Sequence, residues 1–366
     1  MSEIGRGICH VLFAYDVALS IDLSRAETSL KESTQRATLR HSRRSAQYFR
    51  YQPPPIRFAQ PAESFAIGRF CTNPAVEFVL YDFGAAGVAY SIPIDGPLEN
   101  LLELSGNLYE NRVLLEDSRR RVEQLLHTIE PAVSKPNVSD FVEDYAVFHI
   151  ERIVPAVTGA EFIQQNSREL TQILRAETRP LSDDELKDSL AHRISFRNDD
   201  VTIVDWNAAI VLDSEPEDIL AILEFANVEL MEMRYLDHRL NAALESSYEA
   251  LSRTSWTGST TGARKSELRK IAQWQVDSAM LFEGVNNALK LVGDQFLARV
   301  YRAAADRFHL AEWDETIIRK LDTLNSIYGK ISDQLTTRRM EILEWIIIVL
   351  FVISIVLPFF SAAFRH

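Results

Sequence analysis

The chain of 366 residues contains only two cysteines, Cys9 and Cys71. Two thiols so far apart exclude a thiolate metal cluster and a disulfide framework, and they point to a reducing compartment. Basic residues are in deficit: 39 Lys and Arg face 52 Asp and Glu, and the formal charge of −13 argues against a general nucleic-acid binder. The opening twenty residues hold no long apolar run, because Asp16 interrupts the one present, so no targeting peptide is expected there. Enzyme signatures are also missing. The sequence has no His-Glu-x-x-His, no Gly-x-Ser-x-Gly and no dinucleotide fingerprint, and its eight histidines show no ligand spacing.

The near misses resolve into structure. Gly258 and Gly262 precede Lys265-Ser266, but a phosphate loop needs Gly-Lys-Ser adjacent after a strand so that backbone amides cradle the anion. His149-Ile150-Glu151 matches half of a deaminase zinc motif, but no Cys-x-x-Cys follows, so it reads as part of a strand. Asp183-Asp184-Glu185 after Ser182 reads as the acidic first turn of a capped helix. Arg119-Arg120-Arg121 reads as a solvated helix face, Asp199-Asp200 as a turn, and Asp205-Trp206-Asn207 as a break or bulge in a strand. No catalytic residue, cofactor or metal is expected.

What is present is ordinary globular composition, 46% hydrophobic and 25% charged, which excludes wholesale disorder. Residues 7–21 read as one or two strands, and Asp22 as the cap of a helix running to about Ser45. Residues 76–81 and 87–94 form a hairpin around Asp82-Phe83-Gly84, followed by a long helix from about Leu98 to His127. A strand at 145–154, a helix at 159–176, a short helix after Ser182 and strands at 194–196, 201–204 and 208–212 complete an α+β module, a mixed sheet with helices on one face. We divide it at 1–130 and 131–215. Between residues 31 and 60 lies a basic arm with interleaved aromatics and Pro53-Pro54-Pro55. It reads first as a solvated helix and stiff linker, with Arg40, Arg43 and Arg44 as the candidate polyanion-binding residues.

Residues 216–344 read as a long-helix bundle or coiled-coil stalk. Leucines recur from 223 to 251 with charges on the other faces, and Ile317, Leu321, Leu324, Tyr328, Ile331 and Leu335 form a heptad seam. The mean hydropathy of −0.09 hides an uncharged run, 345–364. Twenty helical residues rise roughly 30 Å, the thickness of a bilayer's hydrocarbon core. The expectation is therefore a C-terminal transmembrane helix, a tail anchor. Its anchor residues are Trp345, Ile346, Ile347, Ile348, Phe351, Pro358, Phe359 and Phe360, with Arg338 and Arg339 holding the bulk of the chain on the cytoplasmic or matrix side.

Three segments, VEFVLYDFGAAGVAYSIPI (76–94), LEFANVELMEMRYLDHRLN (223–241) and RRMEILEWIIIVLFVISIVL (338–357), together resemble the required-for-meiotic-nuclear-division family. The resemblance implies a membrane-anchored, non-catalytic protein, whose mitochondrial relatives hold ribosomes near the inner membrane. The expected function is a scaffold or adaptor that self-associates as a homo-oligomer through its helical region. The alternatives are a membrane tether for ribosomes or RNA, and an enzyme with an unrecognised pocket.

Overall fold

The computed structural model describes residues 3–34, 53–254 and 295–363 together with scattered positions between 269 and 282, and side chains no further than residue 350. The chain divides into two compact units, one of residues 1–237 with 280–315, the other of 238–279 with 316–366.

The first unit is organised by one long strand. β1 (Glu3–Asp16) alternates so that Cys9, Val11, Phe13 and Tyr15 enter one core while Leu12 enters another. Register follows from this alternation, because a one-residue slip would turn each of those large side chains to the wrong face, at about 2 kcal/mol apiece. Two ladders of two-residue strands, β2 (Ser20–Ile21) with β8 (Val133–Ser134) and β4 (Ala66–Ile67) with β5 (Phe70–Cys71), lie outside the main sheet. The main sheet runs β10 (Arg193–Ile194), β11 (Val201–Val204), β12 (Ala208–Leu212), β9 (Val142–Val154), β1, β7 (Ala85–Pro97), β6 (Ala75–Leu80) and β3 (Ile56–Pro61). Val11 faces Tyr90 of β7 and Ala146 of β9, both antiparallel, while β12 pairs parallel to β9, so the sheet is mixed as expected. The expected hairpin is β6–β7, in register from Val76–Tyr90 to Leu80–Ala86. Its turn depends on Gly84, at φ +102°, where a Cβ would lie 1.8 Å from the Ala18 carbonyl oxygen.

Two expectations need correction here. Helices cover both faces of the sheet. α1 (Leu23–Thr34), α2 (Glu99–Leu108), α3 (Arg112–Thr128) and α4 (Gly159–Arg175) share the core of Cys9 and Phe13. α6 (Glu217–Thr254) and α7 (Gln295–Arg307) share that of Leu12 and Tyr145, and α5 (Asp183–Ser189) follows α4. The signal lay in β11 and β12, whose nine residues are all buried, the mark of strands covered twice. The single helix expected from 98 to 127 is broken in two. Glu110 takes φ +51°, and the Asn111 side chain accepts the Leu114 N–H at 3.0 Å to restart the helix. Asn111→Ala should cost about 1 kcal/mol, read as a lower denaturant midpoint at unchanged slope.

In the second unit, Leu240 and Ala243 of α6 and Ile317, Leu324 and Ile327 of α8 (Leu310–Ala363) are buried. Leu321 and Tyr328 are half-buried, so the described part of the predicted seam faces inward. The transmembrane expectation is corrected. Among the described residues no helix is long and apolar enough to cross a membrane, so the tail anchor and the single-pass localisation do not stand. The described side chains of the apolar run are the six from Trp345 to Leu350. Phe351, Pro358, Phe359 and Phe360 lie outside the described side chains, as do Arg338 and Arg339.

Candidate functional site

The charged residues the sequence placed on outer faces of α6 are buried instead. Between sheet and neighbouring helices this helix carries Glu224, Asn227, Glu229 and Glu232, each 6% exposed or less. Burying a carboxylate is costly unless it is paired or protonated, so the partners define what this layer can do. Glu224 forms a buried ion pair with Arg57 of the edge strand β3. Burial and then the Glu224 charge push the neighbouring Tyr81 phenol far up. Asn227 Nδ2 donates to the Glu143 carbonyl at 3.3 Å, and the Glu143 carboxylate pairs with Arg234. Burial outweighs that arginine and raises Glu143 to about 7. Glu229 accepts the Tyr301 hydroxyl of α7 at 2.7 Å, and burial raises it to about 8. Asp314 of α8, also raised by burial, adds to that shift.

A second cluster ties the sheet to three helices. Asp205, fully buried after β11, has Oδ2 2.6 Å from Arg175 Nε of α4 and Oδ1 2.6 Å from Arg307 Nε of α7. Ser189 Oγ of α5 donates to Oδ2 at 2.8 Å, and the Trp206 N–H donates to Oδ1 at 2.8 Å. Asp188 bridges the same two arginines at 2.7 and 2.6 Å. Tyr145 donates its hydroxyl to the Asp205 carbonyl at 2.9 Å. Apart from this cluster, Asp117 of α3 accepts from Tyr90 at 2.7 Å and from Arg121 at 2.6 Å. The Arg119–Arg121 run is therefore only partly a solvated face: Arg120 is 64% exposed and Arg121 only 13%.

General acid–base chemistry requires a titratable group within reach of a substrate. Glu224, Glu143, Glu229, Asp205 and Asp117 are held by arginines and tyrosines inside the layers, while the surface depressions open elsewhere. One of about 560 Å³ is lined by Gly159, Gln164, Arg193 and Ser195, and one of about 510 Å³ by Ser167, Lys187, Leu190 and Arg193. His10 and His149 stack on the α6 side with ring centroids 6.3 Å apart, His149 Nε2 lying 2.9 Å from the Asp213 carbonyl oxygen. Burial, then His149, lowers His10 to about 4, so it is neutral at physiological pH. Among the described residues no three His, Cys, Asp or Glu are arranged to hold a metal ion.

The sequence candidates separate cleanly. Glu151 leaves the His149 neighbourhood to pair with Arg6 at 2.9 Å. Ser182 caps α5 through the Glu185 N–H at 3.2 Å, as the acidic first turn required. Arg40, Arg43, Arg44 and the Gly258–Ser266 segment lie outside the described residues. Trp345, Ile346, Ile347 and Ile348 are between 49% and 67% exposed, and Val349 and Leu350 are exposed as well. Six consecutive exposed positions mean that every side of that helical stretch faces outward.

Residues 6–218 match the family model described as "Uncharacterized protein MJ0711, N-terminal domain". The uncharacterized protein MJ0711 of Methanocaldococcus jannaschii is 23% identical over 281 residues, covering 73% of this chain and 85% of that protein. No solved structure matches the chain. Neither match bears on the required-for-meiotic-nuclear-division resemblance.

Proposed function

This chain belongs to the family described as uncharacterized protein MJ0711, N-terminal domain, and on that footing we propose that it acts as a non-catalytic scaffold or adaptor that self-associates through its helical region. The observation that carries the reading is the outward apolar stretch Trp345–Leu350 in a helix whose earlier positions Ile317 and Leu324 are fully buried. Leaving six large apolar side chains in water forgoes on the order of 1 kcal/mol each, and a second copy of the same helix supplies matching surface. Glu224, Glu229 and Asp205 support the reading indirectly, since their partners are arginines and a tyrosine of the fold and they serve cohesion between layers.

Light scattering on purified protein tests the proposal. The full chain should run as a dimer or larger, and both a chain truncated after Arg339 and the I346E/V349E variant should run as monomers. A full-length monomer at tens of micromolar, or variants that remain oligomeric, would remove self-association through this helix.

A further inference from the structure

The loop that follows β10, residues 195–200, is held from three directions. Buried Asp200 accepts the N–H groups of Phe196 at 2.7 Å and Arg197 at 2.8 Å, which satisfies both of its oxygens. The Asn198 carbonyl accepts the Gly159 N–H at the start of α4, 2.9 Å away. A Cβ on Gly159 would come within 2.5 Å of the Asp200 carbonyl oxygen, so glycine is what lets the two segments meet. From the other side Arg299 of α7 donates Nη2 to the Ser195 carbonyl at 3.1 Å.

The residue presented by this bracing is Phe196, which is 70% exposed. Its ring leans on Phe296 with centroids 5.2 Å apart, and the Arg299 guanidinium lies 5.9 Å from the Phe296 ring. An apolar ring held outward on a fixed loop has little ordering entropy left to lose on contact, the property of an interface anchor. Arg193, Arg197 and Arg299 are exposed around it, and among the described residues none of the three has a carboxylate partner. Elsewhere in this unit Arg6, Arg57, Arg69, Arg121, Arg175 and Arg307 each have one, whereas Arg112, Arg152, Arg168, Arg179 and Arg302 do not among the described residues. What distinguishes the β10 edge is that three guanidinium groups without carboxylates lie together there, a local positive patch on a chain with net charge −13. Asp199 is the exposed acid on the same loop.

We propose that the β10 edge is a docking surface for an acidic, extended segment of a partner protein, with an apolar side chain seated on Phe196 and carboxylates on Arg193, Arg197 and Arg299. Guanidinium forks match carboxylates in geometry as well as charge. β10 ends the sheet, so an extended segment can continue the ladder beside it. This surface lies wholly in the first unit and does not depend on self-association through the C-terminal helix.

The test is fluorescence anisotropy on the full-length protein with a labelled peptide alternating glutamate and valine around a central leucine, and a labelled oligo-thymidine as the second probe. Saturable peptide binding is expected, weakened by salt and by roughly tenfold or more in F196A and in R193E, with thermal melting unchanged. R193E leaves the loop's own hydrogen bonds in place, so its loss of binding reports charge rather than folding. No saturable peptide binding, or an affinity in both variants equal to that of the parent, would overturn the proposal. So would oligo-thymidine binding more tightly than the peptide through the same residues, which would assign the surface to nucleic acid.

Discussion

Replacing Asp205 by alanine should destabilise the first unit by about 3–5 kcal/mol, the loss expected when one partner of a buried charge cluster is removed. The reason is what stays behind. The Arg175 and Arg307 side chains are only 16% and 11% exposed, and both would lose their fully buried counter-charge. Ser189 Oγ and the Trp206 N–H would lose their acceptor in the same step. Asp188 touches the same two arginines from a position 54% exposed, so Asp188→Ala should cost no more than about 1 kcal/mol. Denaturant titrations of the two variants beside the parent make the comparison. A cost for Asp205→Ala below about 1 kcal/mol would mean that the arginines reach water without it, and that the cluster does not hold the helices to the sheet.

The second large effect has the opposite sign. Glu229→Gln should stabilise the protein at neutral pH, because Glu229 is 1% exposed and titrates near 8 in the folded chain. In the unfolded chain the same carboxyl titrates near 4.3. Between those values the native state keeps a proton that the unfolded state has released, so unfolding becomes easier as pH rises through the window. Below about pH 4 both states are protonated and the penalty vanishes; above 8 it is fully present. The glutamine keeps a carbonyl oxygen for the Tyr301 hydroxyl and removes the ionisation. The gain should be on the order of 3 kcal/mol at pH 7, shrinking to nothing near pH 4. A stability difference between parent and variant that is flat from pH 4 to 8 would show that Glu229 titrates as an ordinary surface acid.

The sequence was legible wherever a local rule had a local cause. Asp22 does cap the first helix, its Oδ1 accepting the Arg25 N–H at 3.1 Å. The α4 boundary at Gly159 follows from the capping box of Thr158 and Glu161. It was illegible where a residue's meaning depends on partners far along the chain. Asp205 read as part of a break or bulge in a strand because nothing next to Trp206 announces Arg175 or Arg307. The acids of α6 read as a wet face because a helix pattern shows which residues are apolar but not how many sides are covered.

The sequence by itself determined the strand alternation of β1, the β6–β7 hairpin, the capped helices and the described, inward part of the α8 seam, since periodicity and turn chemistry act over a few residues. The tertiary structure alone decided that the sheet is covered on both faces, that Glu224, Glu229 and Asp205 are interior acids, and that Phe196 points out of a braced loop. Each of these depends on burial against segments tens to more than a hundred residues away, and burial sets the energy of a charge or a ring far more strongly than its neighbours in sequence do.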